Sequence, residues 1–307
     1  MSKYIVLALV FLQLGVTSLL ATGLKLTVDN HQPVTMSRYF TIVLPGSSIN
    51  LKVEASDFDN LVITSNYGRL ITKGDGKWKY VSPEKPGNYS VTIKDRESQD
   101  KIVLVIFVLT PASEMDGEYL NKYRIGKYPE EKYKGSSKYS KPEGFIEVNE
   151  SNKDVFITPH FQLKQFLCKQ ESGWPKYLLV NPILIIKLEH LIDGLAAKGN
   201  NVSTLFIMSG YRTPFYNKAI GNVKYSRHIY GDAADIYVDE NLDGVIDDLD
   251  SNSKSDMLDA MVLHEVLSDL ENDPENDHLI GGIGKYNKNS AHTYFIHVDT
   301  RGYKARW

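Results

Sequence analysis

The sequence predicts an α+β protein, because two different textures follow each other along its 307 residues. Residues 24–110 contain short runs of β-branched and aromatic residues between turn-forming clusters, among them LKLTV, RYFTIVL, INLKVEA and YSVTIKD. From residue 155 onward, apolar residues at helical spacing alternate with short strand-like runs. The first part therefore predicts a small immunoglobulin-like β-sandwich, and the second part predicts helices beside a small, mostly antiparallel sheet.

The first 23 residues have the layout of a secretory signal peptide. A basic start with Lys3 precedes an almost wholly apolar run over 4–20, and Ala21, Thr22 and Gly23 end it with small residues. An uncleaved anchor is the alternative, since about 17 apolar residues can just span a bilayer. We expect a secreted or periplasmic protein of a bacterial cell envelope, with no membrane contact beyond this segment.

The net charge and the single cysteine give no indication of nucleic-acid binding or of a cysteine nucleophile. The formal net charge of −3 gives no reason to expect a nucleic acid as partner. The one cysteine, Cys168, lies in the apolar-periodic run FQLKQFLCKQ, which favours a buried structural thiol over a nucleophile. A secreted chain of this length without internal disulfides depends on its hydrophobic core.

The remaining elements follow from composition and periodicity. Residues 111–154 are rich in Lys, Tyr, Gly, Pro, Ser and Glu, which predicts a linker with some ordered turns. The second domain is predicted to span 155–307. Its expected helices are 161–169, 181–197 and 254–270, and its expected strands are 202–208, 233–238 and 294–298.

Two of these strands carry residue types that bind metals, within SRHIYGDAAD and FIHVD. Side chains alternate along a strand, so Asp235 and His297 each lie on the face opposite the β-branched residues. If the strands are neighbours, these two side chains can lie side by side. His228 comes from the preceding loop, where Gly231 permits the turn. Two histidines and an aspartate suit catalytic zinc with a fourth position for water.

SGYRTPFYN, SRHIYGDAAD and FIHVD resemble the zinc-dependent D-alanyl-D-alanine carboxypeptidase family, which also includes murein endopeptidases and D-Ala-D-Ala dipeptidases. The family pattern S-x-H-x-x-G-x-A-x-D is matched by Ser226, His228, Gly231, Ala233 and Asp235. The resemblance extends over residues 158–307. It implies zinc on His228, Asp235 and His297, and cleavage of peptidoglycan stem peptides at D-amino-acid bonds.

The resemblance also implies substrate-binding residues. Arg212 matches an arginine that faces the substrate, where a guanidinium can hold a carboxylate or carbonyl. The alternative is an arginine that braces its own loop. We expect Ser226 to support the site by hydrogen bonding or to contact substrate, and Tyr211 and Asn217 to shape the cleft.

The general base departs from the family pattern. Members place a Glu three residues before the last zinc ligand or a His two residues before it, where this chain has Tyr294 and Phe295. His292 and Asp299 are the candidates that remain. The alternative for His292 is a surface histidine, and the alternatives for Asp299 are a residue that supports the ligand His297 or a partner for Arg301. The predicted mechanism is metal-assisted hydrolysis, in which zinc lowers the pKa of water from about 15.7 toward about 7.

A second cation site is predicted in DENLDGVIDDLD, which begins four residues after the second zinc ligand and is close to the calcium-loop pattern of EF-hands. A solvated acidic turn is the alternative. A structural calcium ion would stiffen the adjacent zinc-binding strand. The predicted ligands are Asp239, Asn241, Asp243, the carbonyl of Val245, Asp247 and Asp250.

Three functions compete at this stage. The first is a secreted zinc peptidase acting on peptidoglycan, and the complete His-Asp-His pattern together with Arg212 favours it. The second is a catalytically silent zinc protein that binds cell-wall peptides or a protein partner, which the unmatched base position would explain. The third is a calcium-dependent surface protein, which leaves the His-Asp-His set unexplained.

Overall fold

The structure, a computed structural model, describes residues 21–307. Most of the predicted signal peptide, residues 1–20, therefore lies outside the described residues. The described chain is mixed α+β, with several small, mostly antiparallel sheets and few helices. None of these helices is long and apolar enough to cross a membrane.

Two sheets form from residues 21–108, where buried and exposed side chains alternate. The five-stranded sheet has the order β2-β1-β4-β7-β6, with β1 Ala21–Val28, β2 Val34–Met36, β4 Ser48–Glu54, β6 Arg69–Gly74 and β7 Lys77–Val81. The four-stranded sheet has the order β3-β9-β8-β5, with β3 Arg38–Val43, β5 Leu61–Ser65, β8 Gly87–Asp95 and β9 Lys101–Val108. Side chains of both sheets join one hydrophobic cluster, for example Leu51 and Leu104. The immunoglobulin-like class itself stays a prediction.

Strands β3 and β9 pair in parallel and are covered on both faces. Leu104 and Ile106 of β9 belong to the cluster between the first two sheets, whereas Val105 and Phe107 belong to the core of the second half. Burial on both sides explains why the run KIVLVIFV is apolar almost throughout. Ile186 and Leu279 extend in the opposite direction, from the second half into the first cluster.

The segment predicted as a linker is part of the packed structure. It forms β10 Thr110–Pro111, β11 Tyr119–Leu120, β12 Tyr123–Arg124 and β13 Gly144–Val148, and β13 pairs with β10 and with β14 Lys176–Leu178. Leu120, Ile125 and Phe145 are buried in the core of the second half. Residues 111–154 are therefore continuous with the domain that follows them.

Two of the three predicted helices are confirmed. Helix α1, Pro182–Ala197, begins after Asn181, whose side chain accepts the Ile183 N–H. Helix α2, Pro214–Ala219, is short, and α3, Met257–Asn272, begins at a capping box of Asp256 and Asp259.

The helix predicted over 161–169 is wrong, since only a 3-10 turn forms at Leu163–Phe166. Backbone groups of this segment are used in contacts with other parts of the chain. Leu163 N–H donates to the carbonyl of Val155 at 2.9 Å, and the carbonyl of Phe166 accepts from Tyr211 N–H at 3.0 Å. These contacts use backbone groups that an α-helix would need for its own hydrogen bonds between residues four apart.

The sheet that carries the candidate site has the order β15-β16-β18-β17-β19. Antiparallel pairing of β16 with β18 sets Asp235 directly opposite His297, as the alternation predicted. Behind the sheet, Lys187 of α1 pairs with Glu271 of α3 at 2.5 Å, and both side chains are fully buried. The strands are β15 Phe206–Ser209, β16 Ala233–Tyr237, β17 Gly282–Tyr286, β18 Phe295–Asp299 and β19 Ala305–Arg306.

Candidate metal centre

A sharp turn brings His228 back over strand β16. His228 lies in the 3-10 turn Arg227–Tyr230, which ends at Gly231 with a φ of 72°. A Cβ on Gly231 would lie 2.6 Å from the backbone carbonyl carbon of Leu179, so only glycine fits this approach. The chain then enters β16 and places Asp235 beside His228.

Three ligand atoms converge at this point. His228 Nε2 lies 3.2 Å from Asp235 Oδ1 and 3.2 Å from His297 Nδ1, and the last two atoms are 2.9 Å apart. A tetrahedral ion with bonds of about 2.0–2.1 Å holds its ligand atoms about 3.3 Å apart. The observed triangle is therefore close to the size that zinc requires. All three side chains are buried.

Hydrogen bonds to the other ring nitrogens orient both histidines. His228 Nδ1 lies 2.7 Å from the Gly210 carbonyl, which can only accept, so the proton is on Nδ1 and Nε2 has a free lone pair. His297 Nε2 lies 3.2 Å from Asp299 Oδ2, which leaves Nδ1 directed at the shared point. Two lone pairs and one carboxylate oxygen facing each other match the donor set of a cation site.

Without an ion, this cluster favours protonation of one histidine. Burial opposes the charged form of His297, but hydrogen bonds to Asp235 and Asp299 outweigh it and raise its pKa to about 9. Burial lowers the pKa of His228. Burial also opposes the charged form of Asp235, yet His228 and His297 hold its pKa well below the usual range.

Arg212 contacts a predicted metal ligand in this structure. Its Nη2 donates to Asp235 Oδ2, and its Nε donates to Ser209 Oγ at 2.8 Å. The carboxylate of Asp235 is thus held on one oxygen by Arg212, while the other oxygen faces the two histidines. The geometry therefore supports a role for Arg212 in orienting the candidate metal ligand Asp235.

Asp299 is fully buried between His297 and Arg301. Its Oδ1 accepts from Gly282 N–H at 2.8 Å and from Arg301 Nε at 2.9 Å. Burial opposes ionisation, but hydrogen bonds from His297 and Arg301 outweigh it and hold the pKa of Asp299 well below its usual range. A carboxylate with so low a pKa suits orientation of His297 better than proton transfer.

His292 lies outside direct contact with the three candidate ligands. Its Nδ1 is 2.8 Å from the Thr293 carbonyl, and its Nε2 is 2.8 Å from the Asn289 side-chain amide. The ring packs edge-on against Phe295, with centroids 4.9 Å apart. This arrangement puts the proton on Nδ1 and leaves Nε2 as an acceptor.

The other predicted substrate residues are buried around the loop that precedes His228. Tyr211 is 2% exposed and shares a 3.0 Å hydrogen bond with the Tyr128 hydroxyl, so its side chain forms part of the core. Asn217 donates to the Val223 carbonyl at 3.0 Å and is also buried. Neither side chain is open to direct contact with a substrate. Ser226 lines a surface cavity.

The predicted calcium loop stays a prediction. Asp239 accepts the N–H groups of Asp243 and Gly244, each at 3.0 Å. Asp250 clusters with Asp248 and Asp259. The cause is Asp259 at the start of α3, whose carboxylate accepts Leu249 N–H at 2.7 Å and holds the end of the loop against the helix.

Sequence patterns missed an aromatic residue beside the site. The Trp307 ring lies 5.3 Å from the His297 ring between centroids, and Trp307 Nε1 donates to the Tyr286 hydroxyl at 2.7 Å. Gly284, opposite His297, makes room, since a Cβ there would lie 2.4 Å from the indole. The lack of a side chain at Gly284 was the only local signal for this contact.

Comparison with known proteins supports one family for part of the chain. Residues 159–264, which include Arg212, His228 and Asp235, match the family model described as Peptidase M15. No curated protein matches the chain.

One solved structure similar to this chain is that of Bacteroides ovatus mixed-linkage glucan utilization locus SGBP-B, in complex with mixed-linkage heptasaccharide. The identity is 11%, and the match covers 30% of this chain and 38% of that one. Its TM-score of 0.15 is too low to establish a common fold. The match over residues 159–264 supports the M15 zinc peptidase family, and the His-Asp-His geometry agrees with it.

Proposed function

We propose that this protein is a secreted zinc peptidase that hydrolyses D-amino-acid bonds in peptidoglycan stem peptides, as a carboxypeptidase or endopeptidase. The observation that carries the proposal is the convergence of His228 Nε2, Asp235 Oδ1 and His297 Nδ1. The M15 family match supports the peptidase class. The peptidoglycan substrate rests on the sequence resemblance.

The residues of this chain hold the ligand set in one geometry. His228 is fixed by the Gly210 carbonyl, and His297 by Asp299. Arg212 fixes the second oxygen of Asp235. When bound, zinc supplies the Lewis acid that polarises a scissile carbonyl and activates water near neutral pH.

Two residues are proposed to act on the substrate. Arg212 uses Nε and Nη2 within the protein, and we assign its remaining N–H groups to a peptide carbonyl or carboxylate. His292 is assigned the proton transfer, because its Nε2 is an acceptor whereas Asp299 is held ionised by Arg301. Asn289 must release His292 Nε2 for this step.

The remaining parts of the proposal concern location and organisation. The apolar segment over 4–20 supports export to the periplasm or the outside of the cell. We propose that the strands of residues 24–110 form an immunoglobulin-like module that serves as a spacer or binding unit. Stem peptides are the proposed partner, with no nucleic acid involved.

Defined muropeptides test this proposal directly. Purified protein, with and without zinc, is incubated with monomeric and cross-linked muropeptides, and the products are followed by mass spectrometry. We expect release of a terminal D-Ala or cleavage of a cross-link only in the presence of zinc. His228→Ala should lose both zinc and turnover, whereas His31→Ala, an exposed histidine, should keep both.

The same experiment separates the candidate functions. Turnover by His228→Ala would contradict the assigned site. A protein that retains one zinc ion but leaves every muropeptide intact would favour the silent binding protein. His292→Gln should lower kcat while zinc content stays unchanged; equal kcat would remove His292 from the mechanism.

A further inference from the structure

A surface cavity of about 320 Å³ lies near the residues that support the candidate metal centre. Ser226, at the start of the zinc-binding motif, lies on its wall. Arg301, on another wall, pairs with Asp299, which contacts His297 through its Oδ2. The cavity is therefore separated from a candidate zinc ligand by one carboxylate.

The side chains that line this cavity are aromatic and cationic. Its cations are Lys224, Arg227 and Arg301, and no carboxylate is among the described lining residues. The rings that line it belong to Tyr133, Tyr139, Tyr225 and Tyr303.

Positive charge is in excess here. Asp232 and Asp299, both buried, each pair with one arginine, Arg227 and Arg301 respectively. Lys224 lies 5.1 Å above the Tyr225 ring and forms no ion pair within the described part of the chain. The two carboxylates thus balance the guanidinium groups and leave the exposed ammonium group of Lys224 without a counter-charge.

The guanidinium of Arg227 is fixed before any ligand arrives. Its Nε bonds Asp232 at 2.9 Å, and its Nη1 donates to the Lys138 carbonyl at 2.9 Å. Its plane lies against the rings of Tyr139 and Tyr230, at 4.2 Å and 4.8 Å from their centroids. Arg227 is therefore a fixed part of the cavity wall, and the unbalanced charge is that of Lys224.

We propose that this cavity binds a free carboxylate of the stem peptide while the peptide occupies the metal centre. The inference rests on the proposed function, because that function brings a carboxylate-bearing peptide to this surface. Lys224 supplies the unbalanced charge, and the tyrosine rings cover the apolar atoms next to the carboxylate. The cavity thereby selects acidic over amidated stem peptides.

Binding to the metal-free protein tests this inference without any turnover. The probes are a fluorescent muramyl pentapeptide with free carboxylates and two analogues, one amidated at the glutamate carboxylate and one at the C-terminus. Kd is measured by fluorescence anisotropy at fixed ionic strength. Lys224→Gln removes the cavity charge, and Lys218→Gln, an exposed lysine on α2 that does not line the cavity, is the matched control.

We expect one of the amidated analogues to bind wild-type protein about tenfold more weakly than the parent peptide. Lys224→Gln should weaken binding of the parent peptide by about three- to fivefold, as expected for loss of an exposed charge. It should leave the Kd of the weaker-binding amidated analogue unchanged. Lys218→Gln should bind all three peptides like wild type.

Equal affinity for the three peptides, or equal losses in the two lysine variants, would overturn the inference. Failure of the proposed function is distinguishable, because it appears as intact muropeptides in the zinc-loaded protein. If the protein preferred the free carboxylate but cleaved no muropeptide, the cavity would still be an anion site, and only the proposed peptidase activity would be wrong.

Discussion

The substitution Asp299→Asn removes a buried charge beside a candidate zinc ligand while nearly preserving the shape of the side chain. Asp299 uses both oxygens: Oδ1 accepts from Gly282 and Arg301, and Oδ2 accepts from Arg301 and His297 Nε2. Asparagine has only one acceptor oxygen, so either His297 Nε2 or the Gly282 N–H loses its acceptor, and Arg301 keeps an acceptor on one side only. Loss of a group that orients a metal ligand lowers zinc affinity by about 10- to 100-fold, which is about 1.4–2.8 kcal/mol.

Asp232→Asn is the matched control for this experiment. Asp232 is as buried as Asp299 and also pairs with an arginine, but it contacts no candidate ligand. Zinc affinity is measured by competition with a chromophoric chelator at pH 7. We expect Asp232→Asn to stay within about twofold of wild type. Equal zinc affinities in the two variants would refute the assigned role of Asp299, as would unchanged affinity in Asp299→Asn.

Three further predictions concern the proton released when zinc binds, a buried ion pair and the contact of Trp307 with His297. Zinc binding at pH 7 should release about one proton, because the pKa of His297 is about 9 without metal. Zinc affinity should therefore rise with pH up to about 9. Calorimetry in two buffers of different ionisation enthalpy measures the number of protons released. Lys187→Met should lower the free energy of unfolding by about 1.5–3 kcal/mol in urea titrations, because the buried Glu271 carboxylate loses one charged partner and keeps Arg306; a change below about 0.5 kcal/mol would contradict this. Gly284→Ala should displace Trp307 from His297 and shift tryptophan emission to longer wavelength, whereas an unchanged spectrum would mean that the ring accommodates the methyl group.

Short sequence patterns predicted the features that depend on neighbouring residues, namely the side-chain alternation of strands and the start of a helix. Strand alternation placed Asp235 and His297 on facing positions, and the register of β16 with β18 agrees with it. The early proline Pro182, the apolar stripe after it and the terminal Gly199 predicted a helix over 181–197, and α1 spans Pro182–Ala197. Each of these signals operates over a few residues, where periodicity and capping are decisive.

Contacts between distant segments could not be predicted in the same way. The calcium pattern fits within its own loop, but Asp259 draws the end of that loop toward α3. The tyrosine-rich segment over 111–154 has the composition of a linker, yet Tyr128 and Tyr139 are buried. Tyrosine suits both a core and a wet surface, so composition does not distinguish them. The contact of Trp307 with His297 depends on the path of the last strand.

The doubly covered strands β3 and β9 tie the two halves into one folding unit. Phe40 and Phe107 insert into the second core, and Ile186 and Leu279 insert into the first. Cutting the chain near residue 111 or 155 would uncover apolar surface on both products, so neither half is suited to expression alone. The N-terminal sheets are therefore packed against the same core that supports the strands of the candidate metal centre.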